Sequence, residues 1–372
     1  MRFLRIDEDS SYQLLVGVGG LGTGMFFQLE GDHSLGRNES RLGRLLDVKD
    51  YCKLHIVSHY VAKLLGARPV GRPFHVVPVG HVGDDPAGRH VVQQMTEVGM
   101  DTSFVRLIPA APTLFSVCFQ YPDGTGGNIT TSNSAAGTLS RSDIDAMADL
   151  LSATQGRFIA LAVPEVPLEV RQHFLELASP PGAFRAASFV AAEVQPARAA
   201  GMFDLLDLVA LNESEAEELV GHRLEPESPE PFLRHCQRLL HSFYPHLQLV
   251  VSAGKAGAYG LTAKTQNFCP APRVKVASTA GAGDALLGGI LAAIAAGLPF
   301  LRTDGNSRDD RSIETALEFG VLLASYKCLS PHTINPSASI DALMEFAGDI
   351  GRSFSPDFGR LFVGTAPAHP TE

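Results

Sequence analysis

Short apolar runs along the chain alternate with stretches of helical spacing, and that alternation predicts βαβ units. YQLLVGVG, Tyr12 to Gly19, reads as a buried strand ending in a glycine turn. The polar, charged stretch after it, to about Lys53, reads as an insertion or a mobile edge element. IVSHYVAKLLG, Ile56 to Gly66, has helical spacing and closes on Gly, as a helix end should. Phe74 to Gly80 predicts another strand and Ala87 to Val98 another helix. Arg157 to Pro164, Leu205 to Asn212 and Leu247 to Gly254 continue the buried strands, and AYGLTA then reads as an outer hairpin. Between them TLFSVCFQY, Thr113 to Tyr121, is aromatic and β-branched and runs into the turn Pro122-Asp123-Gly124, with a return strand from Asn128 to Thr131. That hairpin suits a small lid sheet. RVKV, Arg273 to Val276, is a further strand candidate; residues 312–329 and 338–348 read as helices and 301–311 as a loop. Beyond Gly351 the chain is rich in Pro, Gly and aromatic residues without periodicity, and reads as an ordered wrap across the core or a loose tail.

With 372 residues, the chain can form one large α/β domain with an excursion, or two smaller domains. Its 45% apolar and 19% charged residues are ordinary for a globular protein, and a formal charge of −10 argues against a broad basic surface for nucleic acid. A small anion remains open to it, because backbone N–H groups at a helix start bind anions without a basic patch. Five cysteines without CxxC spacing fit a reduced, cytoplasmic protein. The opening MRFLRIDEDSSYQ has acids before its first apolar run, unlike a signal peptide, and 285-ALLGGILAAIAAGLPF-300 falls short of the roughly 20 residues of a membrane span. No membrane association is expected.

The segment richest in chemistry is APRVKVASTAGAGDALLGGILAAI. Gly281 and Gly283 permit a tight turn, the small-residue run from Ala285 can pack closely against a sheet, and the first N–H groups of that helix would face phosphate oxygens. An alcohol attacking a phosphoryl group needs in-line placement, relief of charge and a proton acceptor, which makes Asp284 a candidate base. Asp284 as a plain N-terminal cap is the equal alternative on local grounds.

The string 278-STAGAGDALLGGILAAIAAG-297 resembles the C-terminal signature of the PfkB, or ribokinase-like, carbohydrate kinases. The resemblance implies an anion hole from Gly281, Ala282 and Gly283, with Asp284 as catalytic base. Thr279 matches the family's threonine, whereas Ser278 stands where an acidic or amide residue is usual. GHVGDDPAGRHVVQQMTEVG, Gly80 to Gly99, is similar to a scaffold segment of the same family. Asn212 and Glu215 resemble its NxxE motif for Mg²⁺ and phosphate; read locally, the same residues form a capping box. Ser252, Gly254 and Gly257 of VSAGKAG match its nucleotide-side stretch, while Lys255 reads as a turn lysine outside the catalytic core. The resemblance implies an α/β fold: a ribokinase-like three-layer α/β/α sandwich with a small β-lid, spanning residues 12–350, with lid elements near 20–53 and 113–131 and a C-terminal extension at 351–372. It also implies ATP as co-substrate, Mg²⁺ held by Asn212 and Glu215 through water, a small sugar or nucleoside-like acceptor, and a homodimer through the lid.

The acceptor half departs from the family. GGLGTG, Gly19 to Gly24, stands where an Asp is common, and Tyr51 to His55 stands near the usual GGxxxN run. Asp47 and His55 are the substrate-binding candidates; a solvated loop acid and an ordinary helix-start histidine are the alternatives. A nucleoside kinase and a nonenzymatic ligand-binding protein on a kinase scaffold are the rival functions. GVGGLGTG also resembles a dinucleotide turn, but it lacks a clean GxGxxG and an acid at the expected distance. HExxH, a compact His/Cys cluster and GxSxG are all missing, which argues against zinc and serine-hydrolase chemistry.

Overall fold

The computed structural model describes residues 2–6, 10–69, 73–122, 126–302 and 311–364. In chain order the first elements are β1 (Arg2–Leu4), β2 (Leu14–Val18), β3 (Gly22–Leu29), β4 (Gly43–Tyr51), α1 (Lys53–Leu65), β5 (His75–Gly83), α2 (Pro86–Glu97) and β6 (Val105–Ile108). Next come β7 (Leu114–Gln120), β8 (Gly126–Thr130), α3 (Arg141–Asp145), α4 (Ala148–Ala153), β9 (Phe158–Ala162), α5 (Leu168–Leu177), β10 (Phe184–Ser188) and α6 (Ala191–Ala199). They lead to β11 (Leu208–Asn212), α7 (Glu213–Val220), α8 (Glu230–Phe243), β12 (Gln248–Ser252), β13 (Gly257–Leu261), β14 (Gln266–Pro270) and α9 (Ala282–Ala295). The last are β15 (Ser312–Ile313), α10 (Ala316–Lys327), α11 (Ile340–Asp349), β16 (Ser353–Phe354), α12 (Pro356–Gly359) and β17 (Phe362–Gly364).

The main sheet has nine strands in the order β14-β13-β12-β11-β10-β9-β2-β5-β6. It is parallel from β12 to β6, and β13 and β14 add an antiparallel edge. Successive residues of its central strands enter opposite cores, as a period of two requires. Leu15, Ile159, Leu161 and Val250 join the core with α1, α9 and α10, whereas Val16, Phe158, Ala160 and Val251 join the core with α5 to α8. Helices therefore cover both faces, and the molecule is a three-layer α/β/α sandwich.

A second sheet, of four strands in the order β4-β3-β7-β8, stands apart from the first. The stretch from residue 20 to 53, read as an insertion or a mobile edge element, supplies β3 and the edge strand β4, whose polar character reflects an outer face in solvent. RVKV is the opposite case. Residues 271–276 form no strand: the ladder ends at Pro270, Pro272 cannot donate to it, and Val274 and Val276 turn to an open cleft. The strand is the preceding QNFCP. The turn at 123–125, most of the loop at 301–311, and residues 365–372 lie outside the described residues.

The described part of the C-terminal stretch is an ordered wrap. β17 pairs antiparallel with β1, and β16 with β15 in parallel. Phe358 is fully buried, with ring centroids 5.2 Å from Phe319, 5.0 Å from Phe354 and 5.5 Å from Phe362.

Candidate active site

Chain order and torsion angles build the centre of the site. Gly281 caps α9 at φ +77°, a left-handed conformation that costs a side chain, and a Cβ there would lie 2.4 Å from the Thr333 carbonyl oxygen. The turn is closed by Ala282 N–H donating to Thr279 O at 3.0 Å. Gly283 and Asp284 follow in the first turn, where backbone N–H groups have no carbonyl behind them within the helix. Nothing lies within 4 Å of a Cβ placed on Gly283, so the peptide is open to a ligand. Asp284 does not cap the helix through its side chain. Its hydrogen bond comes from Lys53 Nζ, at 3.3 Å.

A cleft of about 960 Å³ opens beside this turn. It brings together Asn212, Ser252, Gly254, Gly257, Thr279, Ala282 and Gly283 from three separate stretches of sequence. Lys255 is on the same wall. Its polar rim belongs to the carboxyl ends of β11 and β12, and Val321 and Ala324 of α10 supply apolar wall, a composition suited to a flat ring and a polyphosphate.

Asn212 and Glu215 adopt the capping box. Asn212 Oδ1 accepts from Glu215 N–H at 2.9 Å, and Glu215 Oε2 accepts from Asn212 N–H at 2.8 Å. Burial raises the Glu215 pKa, and the nearby Asp284 charge adds to the shift while Lys53 opposes it. Among the described residues no three His, Cys, Asp or Glu side chains gather as a metal cage. One buried carboxylate beside a phosphate-sized cleft fits a hydrated Mg²⁺, which takes one or two carboxylates and completes its shell with water and phosphate.

On the other side of Asp284, under the small sheet, lies a charged cluster that sequence reading had missed. Lys53, the first residue of α1, has its pKa raised chiefly by Asp284, with Glu215 and Glu165 adding. Glu165 follows β9 with φ +79°, a left-handed conformation rare for a residue with a side chain. Burial pushes its pKa up to about 7, against the pull of Lys53 and a hydrogen bond with Cys52. Its Oε2 atom is buried without a partner. A Cβ on Gly20 would meet Glu165 Cβ at 2.3 Å. The glycine run after β2 therefore enters β3 and makes room for a carboxylate, instead of opening a dinucleotide-binding helix.

Two ties reach the turn from behind. Lys327 is fully buried and donates through Nζ to Ser278 O at 3.0 Å; burial brings its pKa down to about 8. Thr333 joins the turn to the small sheet. Its N–H donates to Lys49 O at 3.1 Å, its Oγ1 accepts from Tyr51 N–H at 3.1 Å, and its own carbonyl lies beneath Gly281.

Neither acceptor candidate from sequence joins Asp284. Asp47 is exposed, in a bulge where the β3–β4 register jumps from Gly24↔Asp50 to Phe26↔Leu46. His55 is 1% exposed and packs on Tyr51 at 4.4 Å between ring centroids. Both its ring nitrogens are unpartnered, and burial, then His59 and His90, hold its pKa well below the usual value. The signal that could have found Glu165 is its place just after a parallel strand, the edge where open α/β sheets bind ligands.

Fold and site together define an α/β kinase scaffold: a sheet edge facing a polyphosphate-sized cleft, with a carboxylate one turn into the adjoining helix. The family model for pfkB family carbohydrate kinases matches residues 57–340, and the chain belongs to that family. It is a phosphotransferase acting on a hydroxyl group. The deoxyribokinase of Salmonella typhi is 26% identical over 276 residues, covering 73% of this chain and 81% of its own. The ribokinase of Schizosaccharomyces pombe is 26% identical over 276 residues, or 73% and 78% of the two chains. Among solved structures, the ribokinase from Cryptococcus neoformans var. grubii serotype A in complex with ADP superposes with a TM-score of 0.69 at 19% identity, covering 90% of this chain and 99% of that one.

Proposed function

We propose that the protein transfers the terminal phosphoryl group of ATP to a hydroxyl of a small sugar, with Asp284 as the base. The observation that carries this reading is the position of Asp284 in the first turn of α9, between the cleft and the Lys53–Glu165 cluster. The acceptor hydroxyl gives its proton to Asp284 as its oxygen attacks. The N–H groups of the Gly281 to Gly283 turn face the charge on the moving phosphoryl group, and Lys53 adds a cation at the same point. Mg²⁺, bound with the nucleotide, would neutralise phosphate charge, held through water by Asn212 and Glu215. Ser252, Gly254, Gly257 and Thr279 line the ATP side.

Relatives named for ribose and deoxyribose support a pentose-like acceptor, and the ADP in a fold neighbour supports ATP in the cleft. The small sheet, residues 20–53 with 113–131, would act as the lid that keeps water from the phosphoryl group. Its outer face carries exposed Met25, Leu45 and Ile129, which fits a homodimer through the lid. Five free cysteines fit the cytoplasm, and among the described residues no helix is long and apolar enough to cross a membrane.

Purified protein with Mg-ATP, assayed against sugars and nucleosides, tests the reading. A phosphorylated sugar is the expected product. D284N should lose about a thousandfold in kcat and keep its nucleotide affinity; unchanged turnover sinks the role of Asp284. Turnover of nucleosides alone would move the acceptor assignment, and binding of ATP without any product would favour a ligand-binding protein.

A further inference from the structure

The inner face of the small sheet holds a buried carboxylate that the reaction above leaves unused. Asp50 on β4 stands opposite Gly24 on β3, and Gly24 opposite Ser116 on β7, so the three positions share one face. Because Gly24 has no side chain, Ser116 Oγ reaches across it and donates to Asp50 Oδ2 at 3.0 Å. A Cβ on Gly24 would lie 2.3 Å from that oxygen and 2.4 Å from Ser116 Oγ. Asp50 is only 6% exposed, and burial raises its pKa against this hydrogen bond.

The Asp50 charge acts on Cys52, Cys118 and Glu165, and Glu165 also feels Asp284. On the inner face of the small sheet Asp50 thus lies toward Glu165, whose Oε2 is unpartnered, with Asp284 beyond it. Besides Ser116, the Tyr51 backbone, Cys118 and Thr333 hydrogen-bond Asp50, and burial still outweighs them all, so a further donor would stabilise its charge. A polyhydroxylated ligand has the donors to do so, and an anionic one would meet like charge.

We propose that Asp50 is the specificity-determining residue of the acceptor pocket: with Glu165 it accepts hydrogen bonds from an uncharged polyol, and it rejects sugars that already carry a phosphate. This rests on the phosphotransfer reading. The Mg-ATP assay is run with D-ribose, 2-deoxy-D-ribose, D-fructose and D-fructose 6-phosphate, on wild type and D50N. Wild type should turn over a neutral sugar and not the phosphorylated one. D50N should raise the KM for that sugar at least about tenfold, the usual loss for an unmade charged hydrogen bond, with the KM for ATP within about twofold. If D50N does not fold, S116A, which frees the carboxylate from its tether, should raise the sugar KM about threefold. Unchanged sugar KM in an active D50N, or preference of wild type for the phosphorylated sugar, overturns the assignment of Asp50 alone. No turnover of any acceptor by wild type overturns the phosphotransfer reading and this one with it.

Discussion

Glu165 combines a left-handed backbone, burial and an unpartnered oxygen, three conditions that each cost stability. Its pKa of about 7 lies above the ordinary carboxyl value, so between about pH 4.5 and 7 the folded protein binds a proton that the unfolded chain releases. The stability this group lends is present below pH 4.5 and is lost as pH rises through 7. Urea unfolding of wild type and E165Q should therefore show wild type losing roughly 2 kcal/mol relative to the variant between pH 5 and 8. A constant difference would mean that Glu165 does not titrate there. Asp284 was legible from sequence because its glycine turn is contiguous with it. Lys53, Glu165 and Asp50 were not, since their meeting depends on segments far apart in the chain. Asp47 and Asp50 show the limit sharply: three residues apart on one strand, one is exposed and the other buried, and the bulge between them leaves no mark in composition.

At the scale of elements, the site is a set of strand ends and one helix start. Glu165 follows β9, Asn212 ends β11, Ser252 ends β12, and α9 brings Asp284 to the same edge. The buried runs that announce β2, β5, β9, β11 and β12 were readable from their apolar continuity. β10, FRAAS, was not, because two alanines and an arginine carry little strand propensity, and its place is decided by the neighbours it pairs with. The α9 start depends on the torsion at Gly281. G281A should cost about 1–3 kcal/mol by denaturant unfolding, through its positive φ and the contact with Thr333 O. The same change should lower kcat more than it raises the KM for the acceptor, which steady-state kinetics would reveal.

For the whole molecule, the terminal segments close the helical layer outside the main sheet. F358A should destabilise the protein by about 3–5 kcal/mol in chemical denaturation, because it empties the centre of an aromatic cluster joining α10 to the C-terminal wrap. L45D with I129D should leave a monomer in size-exclusion chromatography if the outer face of the small sheet joins two copies. Thr333 has a reach of the same order. By gripping Lys49 and Tyr51 on one side and lying under Gly281 on the other, it makes the position of the sugar roof and the shape of the phosphate cradle a single mechanical variable. On the proposed reading of the small sheet as a lid, its closing over an acceptor would carry the cradle with it and spare ATP from water. T333V keeps the backbone tie to Lys49 and drops the two Oγ1 ties, from Tyr51 N–H and to Lys49 O, and its expected signature is at least about a fivefold rise in acceptor-free ATP hydrolysis, what the loss of a single hydrogen bond of about 1 kcal/mol amounts to.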